Sequence, residues 1–121
     1  MPDEIREALD GFIANMEQEG IDRDEIRALF GSFLESGAVL IQDLQAAIRS
    51  QDASLLSLTA HTLKGSSATF GLGSLANLSA VLERAGNQQH WDGTGETLAL
   101  TLAAYQEARE VVAGMIRIPS K

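Results

Sequence analysis

Residues 52–72 have the sequence DASLLSLTAHTLKGSSATFGL, and the spacing of the apolar side chains in this stretch predicts a helix. Asp52 is a good N-cap residue, because its short carboxylate can accept hydrogen bonds from the first free amides of a helix. Five side chains then follow at intervals of three or four residues and form one face: Leu56, Thr59, Leu63, Ser67 and Phe70. Gly71 is a typical residue at the C-terminal end of a helix. We therefore predict a helix over about residues 52–70 whose Leu56-to-Phe70 face points into a core.

Two helices are predicted before this stretch. A short one ends near Gly20, and a longer one runs from about Asp22 through Ile48, since apolar residues recur at helical spacing in both. Glycine costs about 1 kcal/mol relative to alanine inside a helix, so a kink or an early end would come at Gly31 or Gly37.

Two more helices are predicted after it. The first carries leucines spaced three and four residues apart and closes at Gly86, and the second follows a loop at residues 88–95. Short connections between amphipathic helices place consecutive helices side by side in opposite directions. We predict an all-α fold in a single domain over residues 1–121, an antiparallel four-helix bundle with an additional short N-terminal helix.

Composition and charge restrict the classes of function. The formal net charge is −8, which argues against binding of nucleic acid, because that requires a basic surface. No apolar stretch is long enough to span a bilayer, and the acidic N-terminus is unlike a secretory signal, so we expect a cytoplasmic chain without membrane insertion. The chain has no cysteine, which excludes disulfides, Cys-based zinc sites and Cys nucleophiles. The self-contained bundle favours a monomer.

His61 is predicted to lie on the outward face of the 52–70 helix. Successive residues are rotated by about 100° around the helix axis, so the apolar face lies about 160–240° around the axis from His61. The residues around His61 are small or apolar, whereas a solvated face normally carries charges; they are Ser57, Leu58, Lys64, Gly65 and Ala68. Lys64 is the only formally charged residue between Asp52 and Glu83. Such depletion of charge indicates core packing or a surface that a partner covers.

The outward face is compatible with a phosphoryl carrier. A neutral imidazole is a competent nucleophile near neutral pH. Lys64, three residues after His61, can reach an anion attached to the ring. Gly65, one turn after His61, leaves space for another molecule. Plainer interpretations also exist: an ordinary surface histidine, a solvated lysine, and a glycine that permits tight helix packing.

The run HTLKGSS at residues 61–67, followed by Gly71, resembles the signature of the histidine phosphotransfer (HPt) family, and the resemblance extends over about residues 26–115. It implies that His61 accepts a phosphoryl group, that Lys64 stabilises the charge of that group, and that Gly65 clears the approach of a receiver domain. Glu83 lies where several family members place a glutamine that hydrogen-bonds the imidazole. A glutamate there could accept the ring N–H and fix the tautomer; the alternative is an exposed helix charge.

The resemblance also implies that the chain is a carrier and not an enzyme. Its partners would be the receiver domain of a response regulator, of a hybrid sensor histidine kinase, or of both. The sequence has no phosphate-cradling glycine loop and no clustered carboxylates for a metal, so we expect no cofactor of its own, with Mg²⁺ on the partner receiver. We expect the partner to contact Leu58, Gly65, Ala68 and Leu72 around His61.

Three other functions are alternatives to a phosphoryl carrier. The main alternative is a four-helix adaptor that binds receiver or kinase domains without phosphotransfer. A metal site built on His61 and His90 lacks the HExxH or ExxH spacing that helical metal sites use. A serine hydrolase built on Ser66 or Ser67 lacks a GxSxG elbow and a strand to present it.

Overall fold

Five helices make up almost all of the chain. The computed structural model describes the backbone of residues 2–117 and the side chains of residues 5–114. The helices are α1 (Pro2–Gln18), α2 (Arg23–Ser50), α3 (Ala53–Thr69), α4 (Gly73–Gln88) and α5 (Thr94–Arg117). They match the predicted helices, and the described residues contain no strand. Within the described part of the chain, no helix has both the length and the apolar character needed to span a membrane.

Capping side chains explain where α2 and α3 begin. The Asp22 carboxylate accepts a hydrogen bond from the Glu25 amide at 3.0 Å, and the Glu25 side chain accepts one from the Asp22 amide at 3.3 Å. This reciprocal pair is a capping box. The Asp52 carboxylate accepts a hydrogen bond from the Leu55 amide at 3.0 Å, which confirms Asp52 as the N-cap of α3.

Helix α2 is continuous, and the early end considered at Gly31 or Gly37 does not occur. Gly37 is buried, and a Cβ atom at this position would lie 2.5 Å from Cε1 of Tyr105. The tyrosine hydroxyl donates a hydrogen bond of 2.7 Å to the carbonyl oxygen of Leu34. Tertiary packing against α5 therefore compensates for the low helix propensity of Gly37.

Four helices form a closed bundle and α1 packs on the outside of it. Helix α3 contacts α2 and α4, α5 contacts the same two helices, and α1 lies against α5 and α2. Four phenylalanines join α1 to the bundle, with ring centroids 4.8 to 5.7 Å apart; they are Phe12, Phe30, Phe33 and Phe70. The predicted inward face of α3, from Leu56 to Phe70, is buried. The bundle with an additional N-terminal helix is thus confirmed.

Candidate functional site

The candidate site lies where α3 and α4 pack closely together. Gly86 of α4 is buried, and a Cβ atom there would lie 2.7 Å from the backbone nitrogen of Ser57 and 2.9 Å from the carbonyl oxygen of Ala53. Only glycine permits this approach, because both obstacles are backbone atoms. Across the same contact the Ser57 hydroxyl donates a hydrogen bond to the Asn87 side chain at 2.5 Å. Side chains of α4 are thereby brought within reach of the outward face of α3.

His61 lies on that outward face, with 64% of its side chain exposed. Its Nδ1 atom is 2.8 Å from Oε2 of Glu83, whose side chain is only 18% exposed. An ionised carboxylate can only accept hydrogen bonds, so Nδ1 carries the proton and donates a hydrogen bond to Glu83. The neutral imidazole then has its lone pair on Nε2, the nitrogen on the other side of the ring.

Lys64 binds the same carboxylate. Its Nζ atom is 2.6 Å from Oε1 of Glu83, so the two oxygens of one carboxylate hold the lysine and the histidine. The hydrogen bond from Lys64, followed by the one from His61, lowers the pKa of Glu83, and partial burial opposes this shift. Glu83 is therefore a carboxylate at neutral pH. Glu83 is 18% exposed and is paired with Lys64, so it is not an exposed helix charge.

Gly65 faces open space. Among the described atoms outside its own helix backbone, none lies within 4 Å of the position that a Cβ atom would occupy. The interpretation that Gly65 permits tight packing within the molecule is therefore wrong; Gly86 has that role. Ala68 is exposed one turn further along α3, and Leu58, on the other side of His61, is 66% exposed.

Leu72 does not belong to this face. Gly71 has a positive φ of 75° and ends α3, after which the Leu72 amide donates a hydrogen bond of 2.9 Å to the carbonyl oxygen of Ser67. The leucine side chain is 4% exposed and packs in the core. The expectation that Leu72 contacts a partner is corrected, because the chain turns inward before it.

A shallow groove of about 460 Å³ continues the site along α3 and the C-terminal end of α4. It was not predicted from the sequence, because it depends on how the two helices pack. Apart from His61 and Glu83, its lining side chains are uncharged: Ala53, Ser54, Ser57, Leu58, Gly86, Asn87 and Gln89.

The geometry does not favour a metal site or a serine nucleophile. In residues 5–114 no group of three or more His, Asp or Glu side chains is placed to hold a metal. His90 lines a different groove, between α4 and α5. Ser67 is fully buried, and the hydroxyl of Ser66 donates to the carbonyl oxygen of Thr62 in its own helix.

Comparison with known proteins identifies one family. The family model described as Hpt domain matches residues 28–111, which is more than half of the chain. That segment starts in α2 and ends in α5, so it contains the four-helix bundle with His61, Lys64 and Glu83 and leaves α1 outside. No curated protein matches the sequence.

Proposed function

The chain belongs to the Hpt domain family, the phosphotransfer domains of two-component signalling, and we propose that it relays a phosphoryl group between receiver-domain aspartates through phosphohistidine at His61. The observation that carries the proposal is the exposed imidazole whose Nδ1 is held by Glu83 at 2.8 Å. This contact leaves Nε2 as the nucleophilic nitrogen, on a ring that is fixed in one orientation.

The reaction is an in-line displacement at phosphorus. The lone pair of Nε2 attacks the phosphorus atom of a partner's aspartyl phosphate, the P–O bond breaks, and its electron pair leaves with the aspartate carboxylate. The Nδ1 proton stays on His61, where Glu83 accepts its hydrogen bond. Such transfer depends on positioning and charge neutralisation. Mg²⁺ bound to the partner receiver would supply most of that neutralisation.

Lys64 supplies the positive charge on this side of the reaction. Its ammonium group has three donors, and Glu83 takes up one of them at 2.6 Å. The side chain is 38% exposed, so a further donor is available to an oxygen of the phosphoryl group. Lys64 would then stabilise phosphohistidine without leaving Glu83.

The receiver would dock on the face formed by Leu58, Gly65 and Ala68 around His61. Leu58 is an apolar side chain left mostly in water by the monomer, and covering it would contribute about 1–2 kcal/mol to binding. At Gly65 the space beside the helix is open, so a partner's backbone can come close to the imidazole.

The proposal is tested by mixing the protein with a receiver that carries labelled phosphate on its aspartate, in the presence of Mg²⁺. Acid-labile label is expected on the wild type and on His90→Gln, the matched control at the other histidine of the chain. His61→Gln should remain unlabelled. Equal labelling of His61→Gln would refute the assignment of His61. Binding of receivers by the wild type without any label, across a broad receiver panel, would establish the adaptor instead.

A further inference from the structure

Glu83 binds the nitrogen of His61 that does not react. Its Oε2 atom is 2.8 Å from Nδ1, and its Oε1 atom is 2.6 Å from Nζ of Lys64. In phosphorylated His61, Nε2 is bonded to phosphorus. While Nδ1 keeps its proton, neither ring nitrogen has a free lone pair. The phosphorylated ring is then a cation, an imidazolium, next to an ionised carboxylate.

The protonation of Nδ1 decides whether the phosphoryl group can move on. During onward transfer an aspartate oxygen of the next receiver attacks phosphorus, the N–P bond breaks, and the electron pair returns to Nε2. If Nδ1 is protonated, the group that leaves is a neutral imidazole. If Nδ1 has lost its proton, the leaving group is an imidazolate anion, which is far more basic and leaves slowly.

We propose that Glu83 keeps phosphorylated His61 protonated at Nδ1, so that the phosphoryl group can be passed on at pH values above neutral. This inference rests on the proposed function. Glu83 acts through the imidazole and is a positioning residue. A carboxylate that accepts the Nδ1–H hydrogen bond favours the protonated ring over the neutral one, and Oε2 of Glu83 is 2.8 Å from Nδ1.

Few charged groups other than Glu83 lie near enough to the ring to change the protonation of Nδ1. On α3 the nearby charge is Lys64, whose positive charge disfavours an imidazolium and which shares the carboxylate of Glu83 with the ring, one oxygen for each group. On α4 it is Glu83 itself. Among the described residues, the other side chains that line the groove beside His61 are uncharged. Helices α2 and α5 contribute none to this lining.

The test compares the wild type with Glu83→Gln. The glutamine oxygen can still accept the Nδ1–H bond, so the substitution removes the charge and retains a hydrogen-bond acceptor. Glu110→Gln makes the same chemical change at an exposed position on α5 and is the matched control. Each protein is labelled with ¹⁵N, phosphorylated with phosphoramidate, and titrated by NMR to find the pH at which Nδ1 loses its proton.

The expected result is a midpoint lower by about one pH unit or more in phosphorylated Glu83→Gln, with no change in Glu110→Gln. The pH at which the rate of onward transfer to a receiver with Mg²⁺ begins to fall should then be lowered in the same variant. Wild type and Glu83→Gln should donate at similar rates below both midpoints. One unit above the wild-type midpoint the variant should be slower by about ninefold or more, because its protonated fraction is smaller.

Two outcomes would overturn the inference: equal Nδ1 midpoints in the wild type and Glu83→Gln, or a rate ratio that does not change with pH. A receiver's own pH dependence cancels in that ratio. Failure of the proposed function would look different. In that case phosphorylated wild type would donate to no receiver at any pH, whatever the NMR titration showed.

Discussion

Gly65 allows stability and phosphotransfer to be changed in opposite directions. It lies inside α3, and among the described residues no atom outside its own helix backbone lies within 4 Å of a Cβ atom placed there. Gly65→Ala should therefore stabilise the fold by about 1 kcal/mol, the difference in helix propensity between the two residues. With an unfolding entropy of about 2.1 cal/mol/K per residue, this corresponds to a rise in Tm of about 4 °C for the chain.

The same methyl group would occupy the space through which we expect the receiver to approach His61. Crowding of a packed contact by one or two carbons costs about 1–3 kcal/mol, which is about a 5- to 150-fold loss in kcat/KM for transfer. Gly65→Gln should block transfer while leaving helix content intact. Thermal unfolding followed by circular dichroism gives the stability, and initial rates of label transfer from a phosphorylated receiver give the activity.

Gly31→Ala is the matched control for this pair of measurements. Gly31 lies inside α2, and in the described part of the chain a Cβ atom there would likewise have no neighbour within 4 Å outside its own helix backbone. It should raise the Tm by a similar amount and leave transfer unchanged. Normal transfer by Gly65→Gln would refute the docking argument. A lower Tm for Gly65→Ala would mean that α3 makes a contact at this position which the structure does not contain.

Four further outcomes are expected. Lys64→Ala should slow transfer or shorten the lifetime of phosphohistidine without abolishing transfer, and complete loss would assign Lys64 a different role. Gly86→Ala should destabilise the fold by about 1–3 kcal/mol in urea unfolding, because its Cβ atom would collide with backbone atoms of α3; unchanged stability would contradict the close packing. Tyr105→Phe removes the donor to the Leu34 carbonyl oxygen, and should cost about 1–2 kcal/mol by the same assay. The pKa of Glu83 is lowered from 4.5 in the folded protein, so its ion pairs stabilise the fold above that value and less as the pH falls through the lowered pKa. The difference in unfolding free energy between wild type and Glu83→Gln, up to about 1 kcal/mol at pH 7, should shrink toward zero in acid, and a constant difference would contradict this assignment.

The sequence predicted most of what depends on local geometry. The Asp52 cap, the buried face of α3 and the outward position of His61 follow from hydrogen-bonding side chains and from a period of about 3.6 residues. Leu72 shows the limit of that reasoning. The helical period ends at Gly71, whose positive φ redirects the chain, so extrapolating the outward face by one more residue placed a core side chain on the surface.

What the sequence could not predict depends on how helices pack against one another. The Lys64–Glu83 ion pair and the groove beside His61 exist because Gly86 lets α3 and α4 approach closely. Resemblance to the family predicted that Glu83 lies near the imidazole. The ion pair between Lys64 and the other carboxylate oxygen of Glu83 depends on how α3 and α4 pack, so only the structure shows it. Gly37 is a similar case, since its low helix propensity is offset by a tyrosine ring from a helix far along the chain.

The most direct test of the central claim is a chase experiment. Wild-type protein labelled by a phosphorylated receiver is purified and mixed with a second, unlabelled receiver and Mg²⁺. We expect the label to leave the protein and appear on the aspartate of the second receiver, and we expect His61→Gln to carry no label into the chase. Label that stays on the protein, or leaves only as inorganic phosphate, would contradict a relay through His61.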